Sequence, residues 1–260
     1  MIDTSAKLRA KARNPRVITR VAPADDMMTF GPDLRNYFEV GESALAQIKA
    51  GLAAAGTPAP ERILDLPCGY GRVLRHLRAE WPTAAITAMD LDAEAVAFCA
   101  NTFAARPVVS RQPLWDVDAG DGYHLLWCGS LLTHFDEPDW VPTLSYFRDR
   151  VAPGGLVVFT THGEFSIDAL AGEQEALNSQ MGREVRDYGM GEKATDMARA
   201  ARSTGFAYGH YGDTYLPFGL SVSKPEWVRR TVDAVPGLNF VLMNERGWFD
   251  HHDVWTYRVS

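Results

Sequence analysis

Ile63-Leu64-Asp65-Leu66-Pro67-Cys68-Gly69-Tyr70-Gly71-Arg72 is the stretch that decides the fold. The apolar run from Ile63 to Leu66 reads as a buried parallel strand. Two glycines follow at once, and Val73, Leu74 and Leu77 then take up helical spacing. Strand, tight glycine turn and helix start together make a nucleotide-type binding corner. Glycines let the backbone turn sharply and approach a ligand closely, because they carry no Cβ. The helix that follows aims free N–H groups and its positive dipole end at the turn.

Working outward, Ala85-Ile86-Thr87-Ala88-Met89 reads as the next strand and ends in Asp90. A carboxylate about twenty residues beyond the glycines is placed to accept hydrogen bonds from the two hydroxyls of a ribose. A helix over 93–103 completes a βαβα unit. The dinucleotide fingerprint wants a third small residue three places after its second glycine. Here that place holds Leu74, which opposes close helix–strand packing and the approach of a pyrophosphate.

The pattern instead resembles the first motif of the class I methyltransferases that use S-adenosylmethionine (SAM). In that family an acidic residue precedes a turn of the form x-G-x-G-x-G. Asp65, Gly69 and Gly71 match, and Pro67 stands where the first glycine would be. Residues 125–134, Leu-Leu-Trp-Cys-Gly-Ser-Leu-Leu-Thr-His, look like the family's fourth strand and its following loop. Residues 151–159, Val-Ala-Pro-Gly-Gly-Leu-Val-Val-Phe, look like its Pro-Gly-Gly turn into strand five. The three landmarks stand in family order and cover roughly Ile63 to Gly163.

The resemblance implies an α/β fold: a doubly wound, Rossmann-like, seven-stranded and mostly parallel sheet with helices on both faces, ending in an antiparallel edge hairpin. It implies one methyltransferase domain over 1–260. Within it, 1–61 would form an N-terminal tail and helical lid, 62–163 the cofactor-binding core, 164–204 a helical insertion and 205–260 the C-terminal strands. SAM is the implied cofactor. Asp65, Pro67, Cys68, Gly69, Tyr70, Gly71, Asp90, Leu91, Ser110, Cys128 and Gly129 are the implied residues around it. Strands one and four are neighbours in the family's sheet, which would put Cys68 and Cys128 near the cofactor and leave Cys99 on the helix after strand two.

SAM gives up its methyl group by in-line displacement, so the protein must chiefly align the reactants. Where the acceptor carries a proton, it must also supply a base. Histidine suits that task near neutral pH. His134 follows strand four and His162 follows strand five, both on the ligand-binding side of such a sheet, and both are candidate catalytic bases. His251-His252-Asp253 forms a third cluster. Adjacent histidines on a strand point to opposite faces, so the expectation is a strand-entry turn and no metal site.

The remaining segments read as follows. Val40, Ala44, Leu45, Ile48 and Leu52 share one face of a helix over 39–55, with Tyr37 and Phe38 just before it. Gly56-Thr57-Pro58-Ala59-Pro60 ends that helix. Further helices are expected over 136–150, within 164–204 as a pair, and over 225–235. Strands are expected at 107–110, 156–161, 206–211, 238–244 and 254–259.

Bulk properties narrow the function. The 260 residues carry a formal net charge of −7, which argues against a nucleic-acid polymer as substrate. The Pro-Cys nucleophile after strand four and the Asp/Asn-Pro-Pro-aromatic motif of DNA methyltransferases are both missing. The acceptor is therefore expected to be a small molecule, methylated on oxygen or nitrogen. The three cysteines, Cys68, Cys99 and Cys128, form no paired framework, which suggests a reducing, cytoplasmic setting. No run approaches the ~18 apolar residues of a membrane helix. Oligomeric state is open. Two other readings compete: a SAM-binding module without catalysis, and a nicotinamide-dependent oxidoreductase.

Overall fold

The computed structural model describes residues 14–25, 27, 34–173, 190–211 and 218–260. Seven strands hydrogen-bond in the order β3-β2-β1-β4-β5-β9-β8, and β6 and β7 form a separate two-stranded sheet. The chain divides into two compact units, residues 1–127 with 150–156 and residues 128–149 with 157–260.

The first unit holds α1 (Leu34–Ala55), β1 (Arg62–Asp65), α2 (Leu74–Glu80), β2 (Ala85–Asp90), α3 (Ala93–Phe103), β3 (Arg106–Val109) and most of β4 (Tyr123–Cys128). β1 pairs in parallel with β2 and with β4, and β2 pairs in parallel with β3. The apolar run of β1 is buried because it lies between two strands: Ile63 sits beside Ile86 and Leu125, and Asp65 beside Ala88 and Trp127. α1 starts at Leu34, earlier than its apolar periodicity suggests. Tyr37 and Phe38 belong to the same buried stripe as Val40, Ala44, Ile48 and Leu52. These two aromatics pack with Val17 and Ala79. α2, expected over 72–80, starts at Leu74, because the chain is still turning through Tyr70–Val73.

α2 also carries His76, which is 4% exposed. It packs against Gly41 of α1, where any Cβ would overlap its ring. Burial, helped by the neighbouring Arg75 charge, pushes the His76 pKa down to about 4. The unfolded chain binds a proton near pH 6.5, whereas the folded chain does not until about pH 4. Between these values the unfolded state holds more protons, so acidification costs stability. A His76→Leu variant is expected to lose about 2 kcal/mol less stability than the wild type between pH 7 and pH 5. Chemical denaturation at the two pH values checks this, and equal losses would show that His76 titrates normally.

The second unit holds α4 (Glu137–Arg150) up to residue 149, the buried end of β5 (Val151–His162), α5 (Glu164–Ala171), α6 (Gly191–Thr204), β6 (Phe206–His210), β7 (Gly219–Ser223), α7 (Pro225–Asp233), β8 (Leu238–Trp248) and β9 (His252–Val259). β8 and β9 form the expected antiparallel hairpin. Phe159 of β5 stacks on Tyr257 and Trp255 of β9, at 5.8 and 6.4 Å between ring centroids. β5 is longer than read, since it runs back through Pro153-Gly154-Gly155 to Val151.

Two expectations need correcting here. β7 was missed, and β6 pairs with it rather than joining the large sheet. α5 and α6 pack with this hairpin through Ile167, Leu170, Met197, Ala201, Ala207 and Val222. Gly-Leu-Ser-Val-Ser is short and half polar, yet all five residues are buried. The glycine-containing segment around Gly182–Gly191, expected to join the two insertion helices, lies mostly outside the described residues.

Candidate functional site

Asp65 and Asp90 end β1 and β2 at the carboxyl edge of the sheet, on either side of the glycine turn. The turn is held by backbone bonds. The Leu66 N–H donates to the Trp127 carbonyl (3.0 Å), Cys68 N–H to Met89 (2.9 Å) and Gly71 N–H to Cys68 (2.9 Å). The Leu66–Pro67 peptide is cis. Gly69 and Gly71 both take positive φ, at 46° and 79°, in the region that glycine enters without strain. Their surroundings differ. A Cβ on Gly69 would meet nothing within 4 Å, whereas one on Gly71 would strike Phe103 and approach Cys99 Sγ at 3.2 Å.

The Asp90 carboxylate is already anchored. Its Oδ2 accepts from the Gly69 N–H (2.8 Å) and its Oδ1 from the Asp92 N–H (3.0 Å). Each oxygen keeps acceptor capacity, since a carboxylate offers about four lone-pair sites. Burial raises the Asp90 pKa, and the Asp92 and Gly69 N–H groups work against that rise. Leu91 beside it is 45% exposed. Ser110, just after β3, donates its N–H to the Asp90 carbonyl at 2.7 Å and is itself buried. Tyr70 sits at the rim of the turn with its ring edge-on to Phe98.

Asp65 contrasts with Asp90. It is fully buried, and neither carboxylate oxygen has a hydrogen-bond partner. Burial raises its pKa well above the carboxylate range, and the Asp90 charge raises it further. Two carboxylates that feel one another thus serve one corner, and one of them is unsatisfied.

Arg75 is the residue of this corner that the sequence reading missed. It is fully buried. Its Nε donates to the Gly71 carbonyl (2.9 Å), and its two terminal nitrogens donate to the carbonyls of Ile18 (2.9 Å), Arg20 (3.0 Å) and Tyr70 (3.3 Å) and to the Tyr37 hydroxyl (3.1 Å). Tyr37 in turn donates to Asp25 Oδ2 at 2.6 Å. The planar fork of a guanidinium can satisfy several carbonyls at once. Here it ties the N-terminal segment to the glycine turn. The available signal was an arginine directly between Leu74 and Leu77 on the apolar side of α2. Tyr37 and Phe38 are core aromatics under the guanidinium, at 5.0 and 5.6 Å.

Cys99 lies on α3 as expected, and its thiol reaches the turn, donating to the Gly69 carbonyl at 3.3 Å. Cys68, Cys99 and Cys128 are all buried, and none of them is in a disulfide among the described residues.

The second unit contains Cys128, Gly129, His134 and His162. Cys128 is fully buried at the end of β4. After Gly129 the chain bends through Ser130, whose φ is 58° and whose N–H donates to Thr160 Oγ1 at 2.8 Å. His134 ends the short 3₁₀ turn Leu132–His134 and is half-buried. Its Nδ1 lies 3.0 Å from the Gly219 carbonyl and 2.9 Å from the Tyr211 hydroxyl. His162 ends β5 and is buried. Its Nδ1 lies 3.3 Å from the Ser221 carbonyl, and its Nε2 is buried without a partner. Burial, together with neighbouring His251 and His134, keeps the His162 pKa well below the usual histidine value.

β7 therefore orients both candidate bases. Residues 219 and 221 are two apart on one strand, so their carbonyls point the same way. Missing β7 in the sequence meant missing what holds these two rings.

The expectation that His251 and His252 face apart is overturned. The strand begins at His252, and His251 lies in the β8–β9 turn. Strand alternation does not apply across that bend. The His251 and His252 rings are 4.3 Å apart between centroids, and His162 lies 5.9 and 4.6 Å from them.

Residues 63–155 match a family model described as a methyltransferase domain. With the strand order and the acidic glycine corner, residues 63–155 thus resemble the cofactor-binding core of the class I SAM-dependent methyltransferases. The trans-aconitate 2-methyltransferase of Streptomyces avermitilis is 33% identical over 115 residues, which cover 41% of this chain and 40% of that one. The malonyl-[acyl-carrier protein] O-methyltransferase of a Paenibacillus species is 27% identical over 115 residues, covering 42% and 41%. The chain thus spans less than half the length of these curated relatives. Among solved structures, the 1,6-didemethyltoxoflavin-N1-methyltransferase of Burkholderia thailandensis shares the fold with a TM-score of 0.56. It is 14% identical, and the match covers 85% of this chain and 78% of that one. A SAM-dependent methyltransferase of Clostridium acetobutylicum gives 0.55 at 12% identity, covering 91% and 96%.

No described helix is long and apolar enough to cross a membrane.

Proposed function

We propose that the protein is an enzyme that transfers a methyl group from SAM to oxygen or nitrogen of a small molecule, as one methyltransferase domain. The observation that carries this reading is the pair Asp65 and Asp90 around the Gly69–Gly71 turn. A carboxylate corner with one unsatisfied member opposes an anionic pyrophosphate and suits a cationic ligand. That favours SAM, with its ammonium and sulfonium, over a nicotinamide dinucleotide. Leu74, fully buried at the start of α2, weighs the same way.

In this reading SAM supplies an activated methyl group on a positively charged sulfur. Asp90 accepts from the ribose hydroxyls while Gly69 and Asp92 hold its carboxylate in place. A cationic cofactor end beside Asp65 would favour its ionised form, which burial and the Asp90 charge disfavour in the free protein. Gly69 gives the open approach, and Gly71 fixes the turn against α3. Pro67, Cys68, Tyr70, Leu91, Ser110, Cys128 and Gly129 complete the proposed cofactor residues. Of the two histidines, His134 is the better general base. It is half-buried with Nδ1 oriented by β7, whereas His162 is closed into its cluster.

The names of both curated relatives specify methyl transfer, one of them to oxygen, which supports an oxygen acceptor first. Charge and missing DNA motifs support a small molecule over a nucleic acid, and three cysteines without a disulfide framework support a reducing, cytoplasmic setting.

Titration calorimetry with SAM and with NAD tests the cofactor. Asp90→Ala is expected to weaken SAM binding by about 1.5–3 kcal/mol, the scale of hydrogen bonds to a charged group. The fold should persist, because Asp90 only ends its strand. Unchanged affinity in a folded variant removes Asp90 from the site. Binding of SAM with no S-adenosylhomocysteine formed across an acceptor screen would favour the non-catalytic alternative.

A further inference from the structure

We propose that His162, His251 and His252 form a site for a divalent transition-metal ion of the zinc class. One ring nitrogen from each of the three lies within 4.8 Å of the others, and all three residues are buried. Three imidazoles supply three of the four positions of a tetrahedral zinc site, and the fourth falls to water or an incoming ligand. Imidazole donors suit zinc, copper, nickel and iron rather than magnesium or calcium.

The surroundings resemble a prepared ligand set. Metal-ligating histidines usually donate the other ring N–H to a carbonyl or carboxylate, which fixes the tautomer and turns the free nitrogen to the ion. His162 Nδ1 faces the Ser221 carbonyl at 3.3 Å, and His251 Nδ1 faces the Phe249 carbonyl at 2.8 Å. With its Nδ1–H donated, His162 Nε2 is left as a lone-pair donor. His162 Nε2 is buried and has no hydrogen-bond partner. A polar atom in that condition costs free energy unless something fills its valence. Trp248 lies against His252 with centroids 4.9 Å apart, and Phe249 stands edge-on to His251 at 5.7 Å. These aromatics give the cluster an apolar wall.

Charge is also provided. Asp253, next to His252, is buried. Its Oδ1 accepts from the Arg246 N–H at 2.9 Å, and its Oδ2 has no partner. It packs against Gly163, the residue after His162, where a Cβ would overlap it. A buried carboxyl group beside three imidazoles can offset part of a dication's charge.

The hairpin turn bends to bring the rings together. Phe249 and Asp250 take φ of 53° and 63°, and Arg246 takes 50°. Left-handed residues other than glycine cost free energy and persist where their surroundings fix them. The guanidinium of Arg246 holds this bend, donating from Nε to the Asp250 carbonyl and from a terminal nitrogen to Asp250 Oδ1, each at 2.9 Å. The turn thus carries His251 and His252 to the end of β5, and a bound ion would pin the β8–β9 hairpin there. The rings need only close slightly. Tetrahedral zinc at its usual bond length sets the nitrogens about 3.4 Å apart.

The test uses the full, untagged chain after dialysis against a chelator. Zn²⁺ is titrated by calorimetry, and Co²⁺ is added separately to record the tetrahedral visible spectrum. The expected result is one ion per chain and a rise in thermal midpoint on adding Zn²⁺. His162→Gln and His252→Gln should each weaken Zn²⁺ binding at least about tenfold. His124→Gln, whose Nδ1 accepts from the Glu61 N–H, should leave binding unchanged. Absence of saturable binding overturns the site, as does binding that both cluster variants retain. Should those variants fail to fold, zinc X-ray absorption on the wild type decides. Three imidazole ligands support the site, and fewer than two overturn it.

Discussion

Gly71→Val is expected to leave the protein largely unfolded, whereas Gly69→Val folds and loses SAM binding. The two glycines look equivalent in sequence, and the structure separates them. At Gly71 the backbone holds φ at 79°, and a Cβ would strike the Phe103 ring while standing 3.2 Å from Cys99 Sγ. Phe103 cannot give way, since it is buried under the Arg75 guanidinium at 5.2 Å. A branched residue there adds a strained conformation of about 1–3 kcal/mol to overpacking of about 1–3 kcal/mol. At Gly69 a Cβ would enter open space, so overpacking does not arise. What remains is the strain of a branched residue at φ 46°, with the side chain in the path proposed for the cofactor. Thermal unfolding of both variants and calorimetry of Gly69→Val check the pair. A Gly71→Val protein with a normal thermal midpoint would contradict the packing argument. A Gly69→Val protein that binds SAM at wild-type affinity would move the cofactor elsewhere.

That contrast also shows how far sequence could lead. The βαβα corner was legible because each signal was local: an apolar run, two glycines, then helical spacing, then a carboxylate ending the next strand. The β8–β9 hairpin was legible for the same reason. β7 was not, because Gly219–Ser223 is buried by α5 and α6 packing around the hairpin, and its serines hide the apolar pattern. Arg75 was not assigned, since its partners Ile18, Arg20 and Tyr37 are distant in sequence and mostly offer backbone carbonyls. The convergence of His251 and His252 was misread because strand alternation was applied to a residue in the turn. Where the site depends on one element's own residues, sequence sufficed. Where it depends on which carbonyl or ring comes alongside, the tertiary arrangement was needed.

Asp65→Asn is expected to stabilise the ligand-free protein at neutral pH while weakening SAM binding at least tenfold. Asp65 is fully buried, and neither of its oxygens has a hydrogen-bond partner. Its pKa is raised well above the usual value by burial and then by the Asp90 charge. In the unfolded chain the carboxyl ionises near pH 3.9, whereas the folded chain holds its proton to higher pH. Over that interval the folded state binds more protons, so stability falls as pH rises. An amide of the same shape does not titrate and escapes that penalty, which is about 2–3 kcal/mol for an unsatisfied buried charge. The gain should therefore shrink toward zero near pH 4, where the folded carboxyl is neutral and the unfolded one is only about half ionised. Binding should move the other way, because the amide, unlike the carboxyl, cannot ionise beside a cationic cofactor. Denaturation of both proteins without SAM at pH 4.5 and 7.5, with calorimetry at pH 7.5, reads both effects. A variant less stable than the wild type at pH 7.5 would mean that the native carboxylate is satisfied. One that gains stability and keeps full affinity would leave Asp65 a buried liability with no part in binding, and the unsatisfied charge would no longer argue for SAM.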